Sequence, residues 1–132
     1  MTQEDNDLLL KDLCARLPYH VRVKVWLEYG TEEGPLDLAH NYGDVIRDAF
    51  YFNKIKDIKP YLFPMSSMTE EQQKEYDSII YHNVELHWQR YYNVIDVDCY
   101  EELHDFYHKN QLDYRGLIPM GLAIDATGKN IY

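Results

Sequence analysis

Hydrophobic positions near the N-terminus repeat with the period of a helix. An apolar stripe at i, i+3, i+4 and i+7 is formed by Leu10, Leu13, Cys14 and Leu17, which predicts an α-helix over residues 3–17. Thr2 fits the capping position, and the acidic residues that follow it complement the helix dipole. Pro18 should end this helix, because the residue before a proline avoids the helical region.

The next segment alternates between apolar and other residues and predicts a β-strand. Apolar side chains occupy every second position from Val21 to Tyr29, so one face of the strand must be buried. The stretch GTEEGP, 30–35, predicts a turn, and a second strand is expected over residues 36–40. Residues 45–58 suit one or two further strands, with a short helix at 44–50 as the alternative.

The stretch KPYLFPMSSMTEEQQKEY, 59–76, predicts a clasp that leads from sheet to helix. Pro60 and Pro64 indicate an extended, edge-like segment leaving the sheet, because proline fixes φ and removes a ladder donor. Thr69 and Gln72 match a capping box, in which each side chain satisfies a backbone amide of the other residue. A helix is therefore expected from residue 70 to about 82.

Residues 83–97 are compatible with either strand or helix. Val84, Leu86 and Trp88 alternate like a strand, whereas Ile80, Val84 and Trp88 also continue the preceding helix. The β-branched residues that follow favour strands.

The end of the chain predicts one more helix and an apolar tail. Asp98 and Glu101 resemble a second capping box, for a helix at about 99–110 that turns Leu103, Phe106 and Tyr107 inward. The tail GLIPMGLAIDA, 116–126, should pack onto the core. The whole pattern predicts an α+β fold: a small antiparallel meander packed with about three helices, in a single compact domain spanning residues 1–132.

The composition is typical of a globular protein, and the net charge indicates which kinds of partner the chain attracts or repels. The 132 residues are 45% hydrophobic and include thirteen tyrosines, and the net charge is −10. Such a chain repels nucleic acid and anionic membranes and attracts a cationic partner. Because the N-terminus lacks a signal-peptide layout and no apolar run could span a membrane, a cytoplasmic protein is expected. Cys14 and Cys99 match no metal or redox spacing and are expected to be buried thiols.

Two histidines four residues apart, His104 and His108, form the candidate metal site. On a helix they share one face and could hold one metal ion. Zinc proteases have Glu after the first histidine, where this chain has the shorter Asp105. The sequence indicates no third metal ligand, although folding could bring His82, His87 or Glu101 close enough to serve as one. The alternative is that both histidines are solvated on an exposed helix face. No catalytic residues and no cofactor site are predicted, because nucleophile, phosphate-loop and dinucleotide motifs are absent from the sequence.

Two basic groups allow ligand binding but favour structural roles. Lys54, Lys56 and Lys59 lie among aromatic residues, as in proteins that bind single-stranded nucleic acid, yet alternating lysines are more typical of the solvated face of an edge strand. Arg115 could bind a carboxylate or phosphate ligand. The favoured interpretation is that it pairs with a carboxylate of this chain while Gly116 supplies a turn.

Three segments resemble an uncharacterised family of short proteins from gut Bacteroides-type bacteria, often encoded in phage-like or mobile DNA. They are LLLKDLCARLPY (8–19), IKPYLFPMSSMTEEQ (58–72) and LDYRGLIPMGLAIDA (112–126). This chain has Phe63 where relatives often have Arg, and Asn110 and Gln111 where relatives often have histidine. The family has no established activity, so it implies no catalytic residue. It implies a fixed frame around a variable middle, which suits a protein that meets different partners.

The expected function is therefore that of a non-enzymatic interaction or accessory protein with a protein partner, related to a phage or mobile element. Nucleic acid and membrane partners are not expected, and the oligomeric state stays open. Two alternatives remain: a metal-dependent hydrolase that uses His104 and His108, and an acidic DNA mimic that inhibits a DNA-binding enzyme. Whether the chain is an enzyme is left open, with a non-enzymatic role favoured.

Overall fold

The computed structural model describes residues 2–27, 30–36, 58–90 and 97–132, without the side chains of 27, 82–90 and 97–99. These ranges contain three α-helices and one four-stranded sheet, which confirms the predicted α+β class. The elements are α1 (Gln3–Arg16), β1 (Arg22–Leu27), β2 (Gly30–Pro35), β3 (Ile58–Leu62), α2 (Glu70–Arg90), α3 (Val97–Lys109) and β4 (Ile124–Asp125).

The sheet is mixed and mostly antiparallel. Its strand order is β2-β1-β3-β4, with β1 antiparallel to both neighbours and β4 parallel to β3. Core side chains come from α1, the sheet and the tail: Leu9, Leu13, Val21, Val23, Val25, Leu36, Ile58, Leu62, Leu117, Leu122 and Ala123. The expectation that the tail packs back onto the core is thus confirmed. No helix in the described part of the chain is long and apolar enough to cross a bilayer.

Helix α1 begins as predicted, and its buried face is wider than the predicted stripe. Thr2 and Asp5 form a reciprocal capping box, with Thr2 Oγ1 accepting from the Asp5 amide at 3.1 Å. The buried positions are Leu9, Asp12, Leu13 and Arg16, whereas Leu10, Cys14 and Leu17 of the predicted stripe are only half-buried. The predicted stripe is therefore confirmed in part: Leu13 is in the core and Leu10 and Leu17 pack against it. The buried face also extends to Asp12 and Arg16, which can face the interior because their charges are paired.

Strand β1 is confirmed, and the predicted turn at 30–35 is wrong. Val21, Val23 and Val25 are fully buried, but GTEEGP forms β2 in register with β1, from Arg22↔Pro35 to Leu27↔Gly30. The two strands are joined by two residues only, the shortest common hairpin connection. Of the second strand expected over 36–40, Leu36 alone is described. The elements expected within 37–57 lie outside the described residues.

The segment predicted as an edge is instead an inner strand. β3 lies between β1 and β4, and Pro60 is accommodated because pairing with β1 ends there, at Val23↔Pro60, while pairing with β4 begins at Tyr61. The predicted capping box is confirmed: the Thr69 amide donates to Gln72 Oε1 at 2.9 Å and the Gln72 amide donates to Thr69 Oγ1 at 3.1 Å.

Helix α2 extends past the predicted end. It runs to Arg90, so the strands favoured for 83–97 are wrong over 83–90, and residues 91–96 lie outside the described residues. Helix α3 begins at Val97, so Asp98 lies in its first turn and not at the cap. Phe106, expected inward, is 1% exposed. The alternative to strands, a continuation of the preceding helix, is the one that the backbone adopts over residues 83–90.

Candidate functional site

A buried charge network joins α1 to the loop after α3. Asp12 and Arg16 stand four residues apart on α1, and Arg16 Nε donates to Asp12 Oδ2 at 2.8 Å with both side chains fully buried. Arg115 Nε donates to the other oxygen, Asp12 Oδ1, at 3.0 Å. One carboxylate thus holds two guanidinium groups, and Arg115 has the structural pairing that the sequence favoured, with Gly116 at φ +74° in the turn.

Further hydrogen bonds hold this loop, residues 110–118, in one conformation. Arg16 Nη2 donates to the Leu112 carbonyl at 2.6 Å, and Gln111 Nε2 donates to the Tyr19 carbonyl at 2.9 Å. The buried Asp113 carboxylate accepts from the amides of Leu117 and Ile118 at 2.7 and 2.9 Å. The loop therefore presents its one aromatic side chain, Tyr114, in a fixed position.

Tyr114 lies between cations and the rings of α3. The guanidinium carbons of Arg115 and Arg16 are 4.8 and 5.5 Å from the centre of the Tyr114 ring. Tyr107 stacks on Tyr114 at a centroid distance of 4.6 Å, and His104 stacks at 5.5 Å. Tyr114 thus connects the buried charge network to the surface of α3.

His108 is the buried histidine of this region. It is 7% exposed, and its Nε2 shares a hydrogen bond of 2.9 Å with the Tyr114 hydroxyl. Burial, assisted by the positive charge of Arg16, lowers the pKa of His108 to about 4. Burial also raises the pKa of the Tyr114 hydroxyl. Both groups are therefore neutral at pH 7, and the alternative of two solvated histidines holds for the exposed His104 only.

The predicted metal site gains no third ligand from the described side chains. The imidazole centroids of His104 and His108 are 5.9 Å apart. Among the described residues, no group of three His, Cys, Asp or Glu side chains is placed to hold a metal ion. The side chains of His82 and His87 lie outside the described set, and metal binding by His104 and His108 stays a prediction.

A row of rings follows one face of α3, and we call it the aromatic strip: Tyr100, His104, Tyr107 and Tyr114. Centroid distances along it are 6.1 Å from Tyr100 to His104 and 6.4 Å from His104 to Tyr107. Tyr100 is 49% exposed and His104 is also exposed, while the other two rings are half-buried. The strip is therefore anchored at Tyr114 and open to solvent at Tyr100.

Sequence reasoning missed this strip, although a signal was present. Tyr100, His104 and Tyr107 have the spacing i, i+4 and i+7 of one helix face. The histidine pair predicts metal binding, and the helical pattern predicts that Tyr107 lies in the interior with Phe106. Tyr114 could not be placed from spacing, because the loop at 110–118 brings it to α3.

On the sheet, the ring of Trp26 is exposed and lies among lysines. Trp26 is 37% exposed, and the ammonium groups of Lys24 and Lys59 are 5.5 and 5.7 Å from the centre of its ring. This arrangement agrees with the solvated-face interpretation of Lys59, although β3 is an inner strand. Lys54 and Lys56 lie outside the described residues.

No protein-family model, curated protein or solved structure matches this chain.

Proposed function

We propose that this chain is a non-enzymatic interaction protein that binds a protein partner through the aromatic strip on α3. The observation that carries the proposal is the continuous row of rings from the half-buried Tyr114 to the exposed Tyr100. Tyrosine and histidine suit such a surface, because each offers a large ring at a small entropy cost on binding and a polar tip that accepts solvent.

The frame beneath the strip supports this role. Tyr114 is held by the loop hydrogen bonds and by two guanidinium groups, so the Tyr114 end of the strip is positioned before any partner arrives. Pre-positioned side chains lose less freedom on association, which leaves more of the contact energy for affinity. The sheet is a less suitable contact surface, because its exposed Trp26 already contacts two lysines.

A link to a phage or mobile element is part of the proposal and rests on the resemblance of the three segments alone. The hydrolase and DNA-mimic alternatives stay predictions of the sequence. No contact among the described residues favours either.

Affinity capture with matched variants tests the proposal. The bait proteins are the wild type, the double variant Tyr100→Ser/His104→Ser, and the control Tyr81→Ser, which removes a tyrosine that is 70% exposed on α2. Each is incubated with lysate from the source organism, and captured proteins are quantified by mass spectrometry. Circular dichroism first verifies that all three are folded.

We expect at least one protein to be captured by the wild type and by Tyr81→Ser but lost from the double variant, and to bind directly when purified. If the double variant retains the same proteins as the wild type, the strip is not the contact surface and the proposal is wrong.

A further inference from the structure

We infer that the gap where β1 and β3 separate is a binding site for a tyrosine side chain, filled in this structure by Tyr132 and able to accept the same residue of a second copy of this chain. The site is built from the sheet and not from α3, so the inference is independent of the proposed function. Tyr132 belongs to residues 127–132, which we call the strap.

The gap contains one backbone donor and one backbone acceptor. The antiparallel ladder between β1 and β3 ends at Val23↔Pro60, so the next opposed residues in this register are Arg22 and Tyr61. In a continued ladder the amide of one would bond the carbonyl of the other directly. Here the Arg22 amide and the Tyr61 carbonyl both bond a side chain that lies between the two strands.

The hydroxyl of Tyr132 takes the place of the missing ladder bond. The Arg22 amide donates to this hydroxyl at 2.8 Å, and the hydroxyl donates to the Tyr61 carbonyl at 2.7 Å. A hydroxyl group suits the position because it accepts and donates at the same time. The ring lies beside Phe63, at a centroid distance of 5.7 Å, and this contact requires an aromatic ligand. The site therefore fits a phenol.

The same contacts exclude close relatives of a phenol. A phenolate, an aryl ether or a phosphorylated tyrosine accepts from the Arg22 amide but has no proton to donate to the Tyr61 carbonyl. Tyr61 is a buried residue, so an acceptor that faces an acceptor there is unfavourable. Burial of the hydroxyl raises the pKa of Tyr132 to about 12, which keeps the proton in place at pH 7.

The strap can leave the site without opening the core. Residues 127–130 are exposed, and the strap belongs to no helix or strand. The core residues named above include none from the strap, and Tyr132 itself is 49% exposed. The strap of a second copy has the same residues and makes the same contacts, so it competes for the site by mass action.

Chemical rescue tests the class of ligand. The variant Tyr132→Ala empties the site, and thermal unfolding of the full chain is followed with three small probes. 4-Methylphenol has the ring and the hydroxyl, 4-methylanisole has an oxygen that accepts but cannot donate, and toluene has the ring alone. The controls are the wild type, whose site is filled, and Tyr81→Ala, which removes an exposed tyrosine from α2.

We expect 4-methylphenol, at a few times its Kd, to raise the unfolding temperature of Tyr132→Ala by about 2–4 °C relative to both controls. 4-Methylanisole and toluene should raise it clearly less. Equal effects of the three probes would overturn the inference, because binding would not depend on the hydroxyl. An equal effect of 4-methylphenol on Tyr81→Ala would also overturn it, because binding would not depend on this site.

Fluorescence anisotropy with a labelled strap peptide tests exchange between copies. The peptide has the sequence of residues 127–132, Thr-Gly-Lys-Asn-Ile-Tyr, with blocked ends, and the matched peptide ends in Phe. The proteins are the wild type, Tyr132→Ala and Tyr132→Phe. Tyr132→Phe keeps the ring of its own strap without the hydroxyl, so it decides the question even if Tyr132→Ala does not fold.

We expect the tyrosine peptide to bind Tyr132→Ala most tightly, Tyr132→Phe less tightly and the wild type least, because each protein's own strap competes for the site. The phenylalanine peptide should bind about tenfold more weakly, because it lacks the two hydrogen bonds of the hydroxyl. If the two peptides bind alike, or if the tyrosine peptide binds neither variant, the site does not recognise a tyrosine from a second copy and the inference is wrong.

Discussion

Removal of the Asp12 carboxylate is the perturbation that tests the buried frame most sharply. Asp12 is 0% exposed and accepts from Arg16 Nε at 2.8 Å and from Arg115 Nε at 3.0 Å. The substitution Asp12→Asn keeps the size of the side chain and removes its charge. It leaves the fully buried guanidinium of Arg16 without its counter-ion.

The size of the effect follows from these contacts. Removal of one partner from a buried ion pair costs about 3–5 kcal/mol, because the remaining charge is desolvated and uncompensated. Hydrogen bonds to charged groups contribute about 1.5–3 kcal/mol each, and two are lost or weakened here. We therefore expect Asp12→Asn to lower the free energy of unfolding by about 3–5 kcal/mol.

Urea unfolding followed by circular dichroism measures this change. The matched control is Asp7→Asn, an exposed position on the same helix whose carboxylate accepts from Gln3 Nε2; it should cost less than about 1 kcal/mol. A second variant, Asp12→Leu, tests whether the cost comes from the unpaired arginines, and it should destabilise at least as much as Asp12→Asn. A loss of under about 1 kcal/mol for Asp12→Asn would refute the account of the buried network.

Three further predictions follow from local contacts. The pKa of His108 in the folded chain, about 4, lies below its ordinary value of 6.5, so His108 binds a proton more readily in the unfolded chain. The free energy of unfolding should therefore fall as the pH drops from 6.5 to 4, by up to about 3 kcal/mol. The urea midpoints at pH 7.5 and pH 4.5 should differ less in His108→Gln than in the wild type. Thr69→Ala should cost about 1 kcal/mol in urea unfolding by removing the cap of α2, while the exposed Ser66→Ala should cost almost nothing; equal effects would contradict the capping role. Tyr132→Phe should cost about 1–3 kcal/mol in the same assay, because the Tyr132 hydroxyl accepts from the Arg22 amide at 2.8 Å and donates to the Tyr61 carbonyl at 2.7 Å; an unchanged midpoint would show that neither group needs it.

Local patterns in the sequence are sufficient to predict several of the helices and strands. The cap at Thr2, the capping box at Thr69 and the alternating valines of β1 depend on neighbours in the chain, so spacing alone predicts them. The α+β class followed from these elements. The apolar tail was also assigned correctly, because an apolar stretch of that kind must be buried somewhere.

Other elements depend on partners that are distant in sequence. GTEEGP has turn composition but forms β2, because a two-residue connection lets it pair with β1 along its whole length. The buried face of α1 includes the paired charges of Asp12 and Arg16, and Arg115, the second partner of Asp12, is 103 positions away. Pro60 predicts an edge strand, whereas the parallel pairing with β4 makes β3 an inner strand.

The candidate site could likewise be predicted only in part from the sequence. The spacing of Tyr100, His104 and Tyr107 was visible in the sequence. The position of Tyr114 depends on the loop that Arg16 and Gln111 hold against α1, and no local pattern reveals it. The burial of His108, which separates it from His104, has the same origin.

Site-specific photo-crosslinking tests the central claim most directly. A photoreactive aromatic amino acid is incorporated in place of Tyr100 in one protein and in place of Tyr81 in another, and both are irradiated with the partner identified by capture. The account predicts a crosslinked complex from position 100 and none from position 81. Equal crosslinking at both positions, or none at position 100, would contradict the claim that the aromatic strip on α3 is the contact surface.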